Sequence, residues 1–496
     1  MQARKARAQR DLALQQLRRS EAVSEFNNFL LSDAAPGGKP FTVNELLGRA
    51  EKIVRRQRAT DDSNRAELLV SIGDQYSTQD RDADAQRILE EAYNLSRSLP
   101  GRSTRARASC ALAGALARGG DLTRAENLFQ EGMSELPAES QYDLDRIMCL
   151  SRGSEVAQER GDSQGGITRI EAAEKVLRAS PLDSDLHELT ISVDLAAYRM
   201  AGLNQKATSM FERASGLLSS LGRDDTQEAV VLCNDWALAL DRLGRPLEAE
   251  RLYRRAIEVS RVDKTEETVS PMVLNNYAKT LRQLDRLNEA AAYAERAYLK
   301  AKQLDDQLVI YQALYMRALV YVEQGNVTHA AAMLADLEPM LRRSLPPSSY
   351  WFGALASAQA QVAAGRGDFQ TASRLADQSI VITEAAIQGG GQGADLLPIL
   401  LLRRSAIRLE AGHNAAAGED AARAVNLLQN ALNTATFSSH VGRAYYALGR
   451  ALKSQGKRSE AQAAFRSAAE QLQNTLGPDH PDTRSAQVEA GMVFRP

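Results

Sequence analysis

The chain has 496 residues, of which 44% are hydrophobic and only 5% aromatic, and its formal net charge is −2. No global field selects nucleic acid or a membrane surface. No run of about 18 apolar residues is present to span a bilayer, and three cysteines are odd in number for a disulfide framework. Length alone would allow roughly three domains, but abundant Ala, Leu, Gln and Arg, only 14 Pro and no bounded β-branched runs point to one all-helical array with a thinly distributed core.

Residues 1–60 hold twelve Lys/Arg against six Asp/Glu, so the remainder of the chain is acidic and the basic end is a local feature. The pattern predicts one amphipathic helix over 1–31, with Leu12, Leu14, Leu17, Val23, Phe26, Phe29 and Leu30 as a broken apolar stripe among arginines. Such a basic helix can make weak contact with an anionic membrane surface. The stretch after the basic start, DLALQQLRRSEA, is no apolar signal core, so the chain as written shows no export signal. SDAAPGGKP (32–40) reads as a loop. A second helix starts near Thr42, where Thr42 and Glu45 have capping-box spacing, and ends around 60–62.

From Arg65 a unit recurs. The small residue of each second helix marks it: Ala85, Ala125, Gly166, Ala207, Ala249, Ala290, Ala330, Ala372, Ala417 and Ala461. Their spacings run from 40 to 45 residues. Seven residues after nearly every anchor stands another small residue, from Ala92 to Ala468, with Leu337 the exception. Four residues after it stands a filler such as Phe129, Phe211, Tyr253 or Phe465. Pairs such as Gly120-Asp121, Gly161-Asp162 and Gly367-Asp368 precede anchors, suited to ending one helix and capping the next. Cys110, Cys149 and Cys233 each fall mid-way along a first helix, where they read as buried free thiols acting as small hydrophobes.

The clearest unit is YYALGRALKSQGKRSEAQAAFRSA (445–468): Gly449 and Ala461 let two helices approach, Phe465 fills the gap and Gln455-Gly456-Lys457 makes the turn. It resembles a tetratricopeptide (TPR) repeat. The period exceeds the usual 34 residues, which, together with LGPDHPDT (476–483), resembles the long-repeat subclass of kinesin light chains and many bacterial signalling proteins. The resemblance implies an all-α, right-handed α-solenoid of about ten long TPR helix-turn-helix repeats. Residues 1–63 would be a basic helical region, 64–479 the array and 480–496 a C-terminal capping helix. Bends are expected at Leu345-Pro346-Pro347 and at 388–393, QGGGQG. The N-terminal pattern over about residues 6–60 (Glu21-Ala22-Val23, Phe26, Phe29-Leu30-Leu31, Thr42 to Leu47) resembles the segment that follows the transmembrane helix of bacterial TPR-containing serine/threonine kinases. It implies the sensory arm of such a kinase, or a fragment split from one, although neither kinase domain nor span is present in this chain. The alternative is a stand-alone TPR scaffold. Location follows the same fork, cytoplasmic by default for this chain and extracytoplasmic as part of a membrane-anchored kinase.

Catalytic patterns are missing. Gly37-Gly38-Lys39 and Gly456-Lys457 lack the remainder of a phosphate loop, Asp368-Phe369 runs on to Gln370, and His187, His329, His413, His440 and His480 have no metal-ligand spacing. No enzyme, cofactor or metal is expected. The TPR register instead implies a protein or peptide partner held on the first helices, at Asn234, Asp235, Asn275, Asn276, Lys279, Arg282, Tyr315, Arg443, Tyr446 and Arg450, with no nucleic acid. The competing reading for the asparagines is that they bridge neighbouring helices.

Overall fold

The computed structural model describes residues 42–56, 62–79, 81–181, 184–200, 205–261, 266–389, 393–432 and 436–492, with Arg10, Ser24 and Asn28 beside them. The amphipathic helix expected over 1–31 and the glycine run at 390–392 lie outside those residues. The described chain is helix and turn with no strand, and no described helix is long and apolar enough to cross a membrane. It is an all-α helical repeat fold. The chain forms two compact units, 1–198 and 199–496.

In the N-terminal unit, α1 (Val43–Arg56) precedes the hairpins α2 (Asp62–Thr78) with α3 (Asp82–Ser96), α4 (Arg102–Arg118) with α5 (Leu122–Glu135), and α6 (Asp143–Glu159) with α7 (Ser163–Ala179); α8 (Asp185–Met200) ends it. The capping box forms at α1: Thr42 N–H donates to Glu45 Oε2 at 2.8 Å and Glu45 N–H to Thr42 Oγ1 at 3.2 Å.

The C-terminal unit starts with α9 (Gln205–Ser220). Five hairpins follow: α10 (Gln227–Arg242) and α11 (Pro246–Ser260); α12 (Pro271–Gln283) and α13 (Leu287–Gln303); α14 (Gln307–Glu323) and α15 (Val327–Ser344); α16 (Trp351–Gly365) and α17 (Phe369–Gln388); α18 (Leu397–Glu410) and α19 (Asn414–Ala431). A sixth pairs α20 (Ser439–Ser454) with α21 (Arg458–Leu476), and α22 (Pro481–Glu489) follows. In α22, Ala486 is fully buried, and Ala490 just after it packs on Ala461 and Phe465.

All ten repeat anchors are buried, from Ala85 to Ala461. A side chain there would separate the two helices that the fillers join. Phe465 occupies the space a Cβ would need at Gly449, only 2.7 Å away, and Phe129 does the same at Gly153. Five residues before the anchor, the backbone turns left-handed in eight repeats. Seven of these positions are glycines, from Gly120 to Gly456, and the eighth is Asp285 at φ 59°. Aspartate tolerates that conformation better than most residues with a Cβ.

The thiol reading is corrected. Cys110 and Cys149 form a disulfide, and Cys233 alone remains free. Their 39-residue separation is nearly one repeat period, so matching levels of α4 and α6 face each other in adjacent repeats. Gly132 makes room, since a Cβ there would stand 2.4 Å from Cys110 Sγ. An odd count excluded pairing of every cysteine, not of two. The bridge closes a loop of about 40 residues, worth roughly 4 kcal/mol by chain entropy. Alkylation of the unfolded, unreduced chain should therefore label one cysteine, and Cys110→Ser should lower Tm. Three labels before reduction would refute the pairing.

A candidate binding cavity in the C-terminal unit

Repeats of nearly constant geometry turn steadily, and within the C-terminal unit the turn closes. The N-terminus of α20 meets the C-terminal ends of α10 and α12, whose last carbonyls have no partner within their own helices. Ser439 N–H donates to the Gly244 carbonyl at 2.9 Å. His440 Nε2 lies 2.9 Å from the Asp241 carbonyl, and Arg443 donates to the Gln283 carbonyl at 2.7 Å. Leu284 packs against the apolar cluster of α21 that contains Leu472 and Leu476. The negative ends of two helices thus face the positive end of a third. Gly244 has φ +73°, and a Cβ on it would lie 2.9 Å from Ser439 N and 3.0 Å from His440 N, so the junction needs glycine.

The closed turn frames a half-open cavity of about 740 Å³. Every first helix from α10 to α20 contributes: Asp241 and Arg242, Lys279 and Arg282, Val322 and Glu323, Gln361 and Ala364, Leu402 and Arg403, then His440 and Arg443. Three ion pairs brace it. Arg443 Nε meets Asp482 at 2.7 Å, Arg242 meets Asp395 at 3.7 Å, and Arg282 pairs with Glu323. Asp241 is fully buried, accepting from Thr280 Oγ1 at 2.7 Å and Gln283 Nε2 at 3.3 Å. Burial pushes its carboxyl up to about 6, partly offset by Lys279, the Thr280 hydrogen bond and Arg282. His440 is pushed down to about 4, by burial first and then by Arg443, against the Asp241 carbonyl that favours its charged form.

Of the ten residues expected on the groove, Lys279, Arg282 and Arg443 line this cavity. Tyr315 adjoins it, its hydroxyl accepting from Arg403 at 3.1 Å and its ring edge-on to Trp351. Asn276 donates to Asn234 Oδ1 at 3.1 Å, and Asn234 to Asp235 at 3.0 Å, a bridge between α10 and α12. Burial pushes the Asp235 carboxyl up. Asn275 is buried with an unpartnered Oδ1. Tyr446 leans on Phe465, and Arg450 is exposed. Sequence reasoning missed Asp241, Gln361, Arg403 and His440. Gln361 stands at the same level of the eighth repeat as Lys279 does in the sixth, so the register could have found it; Arg403 stands nearly one turn earlier in the ninth, at the level of Asn276. The Asp241–His440 contact spans 199 residues and leaves no local signal.

The N-terminal unit also carries charge on its first helices, but there it is matched. Arg107 lies 3.2 Å from Glu67 and 3.6 Å from Asp145, and Arg152 lies 2.9 Å from both Asp74 and Glu155. Asp194 is pushed up to about 7, by burial and then by Glu155, against the attraction of Arg152. Among the described residues of the whole chain, no cluster of His, Cys, Asp or Glu is arranged to hold a metal ion.

Residues 441–482, which contain α20, α21 and the start of α22, match the tetratricopeptide repeat family profile. No curated protein sequence matches the chain. Among solved structures, the apo form of RapI is similar at a TM-score of 0.56 and 11% identity, over 73% of this chain and 97% of that one. A Rap protein complexed with Competence and Sporulation Factor gives 0.54 and 13%, over 74% and 99%. A signal-transduction ATPase with a tetratricopeptide repeat sensor, from Pyrococcus horikoshii, gives 0.50 and 11%, over 71% of this chain and 54% of that one. At such identities the likeness is one of fold: the chain is built as a TPR-like helical repeat protein.

Proposed function

We propose that the chain is a non-catalytic binding scaffold whose recognition site is the cavity of the C-terminal unit, taking a peptide or an extended segment of a protein partner. The closed turn carries this reading. It presents six first helices to one half-open space, preformed so that little ordering is needed when a ligand docks. A Rap protein of similar fold was solved in complex with Competence and Sporulation Factor, which supports a ligand-receiving role for such an array. The test is capture of partners from the native cell by the parent chain and by Arg282→Glu. That variant places two like charges at Glu323 and should lose the specific partners. An unchanged partner set would remove the cavity from consideration.

We further propose the extracytoplasmic arm of a membrane-anchored serine/threonine kinase over the stand-alone cytoplasmic scaffold. The Cys110–Cys149 bridge favours it, because disulfides persist in oxidising compartments and are rare in the cytosol. The resemblance over residues 6–60 supports it too. An in-frame membrane helix and kinase domain in the DNA upstream of Met1 would agree; an ordinary promoter there would favour the free scaffold.

A further inference from the structure

Four residues before the anchor, where one helix of a hairpin gives way to the other, Arg81, Arg245 and Arg286 each pair with the acid three residues on, at Asp84, Glu248 and Glu289. Lys457 holds the same place in the last hairpin, with Glu460 three residues on. There, among the described residues, no carboxylate lies within ion-pair distance of the lysine. Arg450, Arg458 and Arg466 are exposed and unmatched in the same sense. Arg450, Lys453, Lys457 and Arg458 fall within nine residues that contain no acid, and of these only Lys453 is paired, with Glu489 at 2.6 Å. Lys457 and Arg458 also stand at the positive end of α21, where cations are disfavoured. Nothing inside the hairpin offsets that placement.

The end of α22 lies alongside. Gln462, between Arg458 and Arg466 on one stripe of α21, reaches the Ala490 carbonyl at 3.5 Å. Beside these contacts Val488 is 69% exposed and Met492 45%. No other large apolar side chain among the described residues is as exposed as Val488. Exposed apolar residues standing singly are ordinary, but here two of them adjoin a group of unmatched cations. That combination fits an anionic bilayer, whose headgroup phosphates take the cations while apolar side chains enter the acyl boundary. An acidic peptide would need a groove to order it, whereas this turn faces open space: a Cβ on Gly456 would meet nothing within 4 Å. None of these side chains lines the cavity described above.

We infer that the last hairpin and α22 form a docking surface for an anionic phospholipid bilayer. Arg450, Lys457, Arg458 and Arg466 meet the headgroup phosphates, and Val488 and Met492 enter between them. This surface is separate from the basic residues 1–31 and does not depend on what the cavity binds. Full-length chain is sedimented with vesicles of phosphatidylglycerol and phosphatidylcholine in equal parts, or of phosphatidylcholine alone. At least tenfold more chain should bind the anionic vesicles, and the difference should shrink in about 1 M salt, where the Debye length is roughly 3 Å.

Each cation near such a surface contributes roughly fivefold in affinity. Lys457→Glu combined with Arg458→Glu should therefore cut binding at least tenfold, and Lys457→Arg combined with Arg458→Lys should keep it. Val488→Ser with Met492→Ser should weaken it as well. All four side chains are exposed, so each variant should melt near the parent's Tm. Binding to anionic vesicles untouched by the charge reversal would overturn this surface and assign the contact to residues 1–60. Equal binding to both kinds of vesicle, or to neither, would overturn it too. Polyglutamate retained without any vesicle binding, and lost on charge reversal, would replace the bilayer with an acidic protein segment.

Discussion

Replacing Gly244 with alanine should unlatch the C-terminal unit without melting its helices. The residue sits at φ +73° with the backbone nitrogens of Ser439 and His440 against it. Left-handed alanine costs about 1–2 kcal/mol, and loss of the Ser439 N–H to Gly244 carbonyl bond about 1 kcal/mol more. Hydrogen exchange at the Ser439 amide should therefore accelerate, ligand capture should fall, and helix content by circular dichroism should stay near the parent's, since each hairpin is braced by its neighbours. Gly325→Ala is the comparison: φ is +75° there too, but nothing stands within 4 Å of the added Cβ. It should show the backbone cost alone. Equal exchange at Ser439 in both variants would show that the latch is not what Gly244 serves.

Acid should leave the latch nearly indifferent in the parent chain and sharply sensitive in two variants. Asp241 binds its proton more tightly in the folded chain, at about 6 against an ordinary 3.8, so its protonation adds stability as pH falls from about 6 toward 3.8. His440 does the reverse. Its folded value of about 4 lies below the ordinary 6.5, so the unfolded chain takes that proton first and stability is lost between 6.5 and 4. Each effect is on the order of 2–3 kcal/mol by pH 4.5, and over the shared window they oppose one another. His440→Gln should therefore gain stability relative to the parent between pH 7 and 4.5, and Asp241→Asn should lose it. Urea unfolding at the two pH values measures both differences. Variant-minus-parent values that do not move with pH would sink the assignment.

Much of the fold was legible because packing in a hairpin array is local. Ala249, Ala290 and Ala461 advertise their burial through spacing alone, and Gly120 and Gly161 mark turns that the structure places in the left-handed region. Asp285 shows how far this reaches: it keeps the turn without glycine, so only the register identifies it. The cavity was half legible. Lys279, Arg282 and Arg443 follow from which helix face looks inward, whereas Arg403 was concealed in the apolar run around Leu400–Leu402. Cys110 and Cys149 were each read alone, because pairing is a relation between repeats and not a property of either one. What brings α20 onto α10 is the accumulated angle of five hairpins, to which every interface contributes a little and no residue contributes decisively.

That closure changes the arithmetic of the C-terminal unit. An open stack has two free ends, which fray first and let each repeat answer mainly to its nearest neighbours. Joining Ser439 to Gly244 gives the repeats between them no loose end within the ring, so a hairpin cannot peel away without either breaking the junction or straining the others. The junction also links residues about 200 apart, where most helix packing joins partners within one hairpin or in the next. It can form only after the intervening hairpins have taken up their angles, which makes it a late and slow step in folding. Errors in any one hairpin's angle are therefore summed and tested at a single place, where two carbonyl-bearing helix ends either meet the Ser439 amide, the His440 ring and the Arg443 guanidinium of a third or miss them.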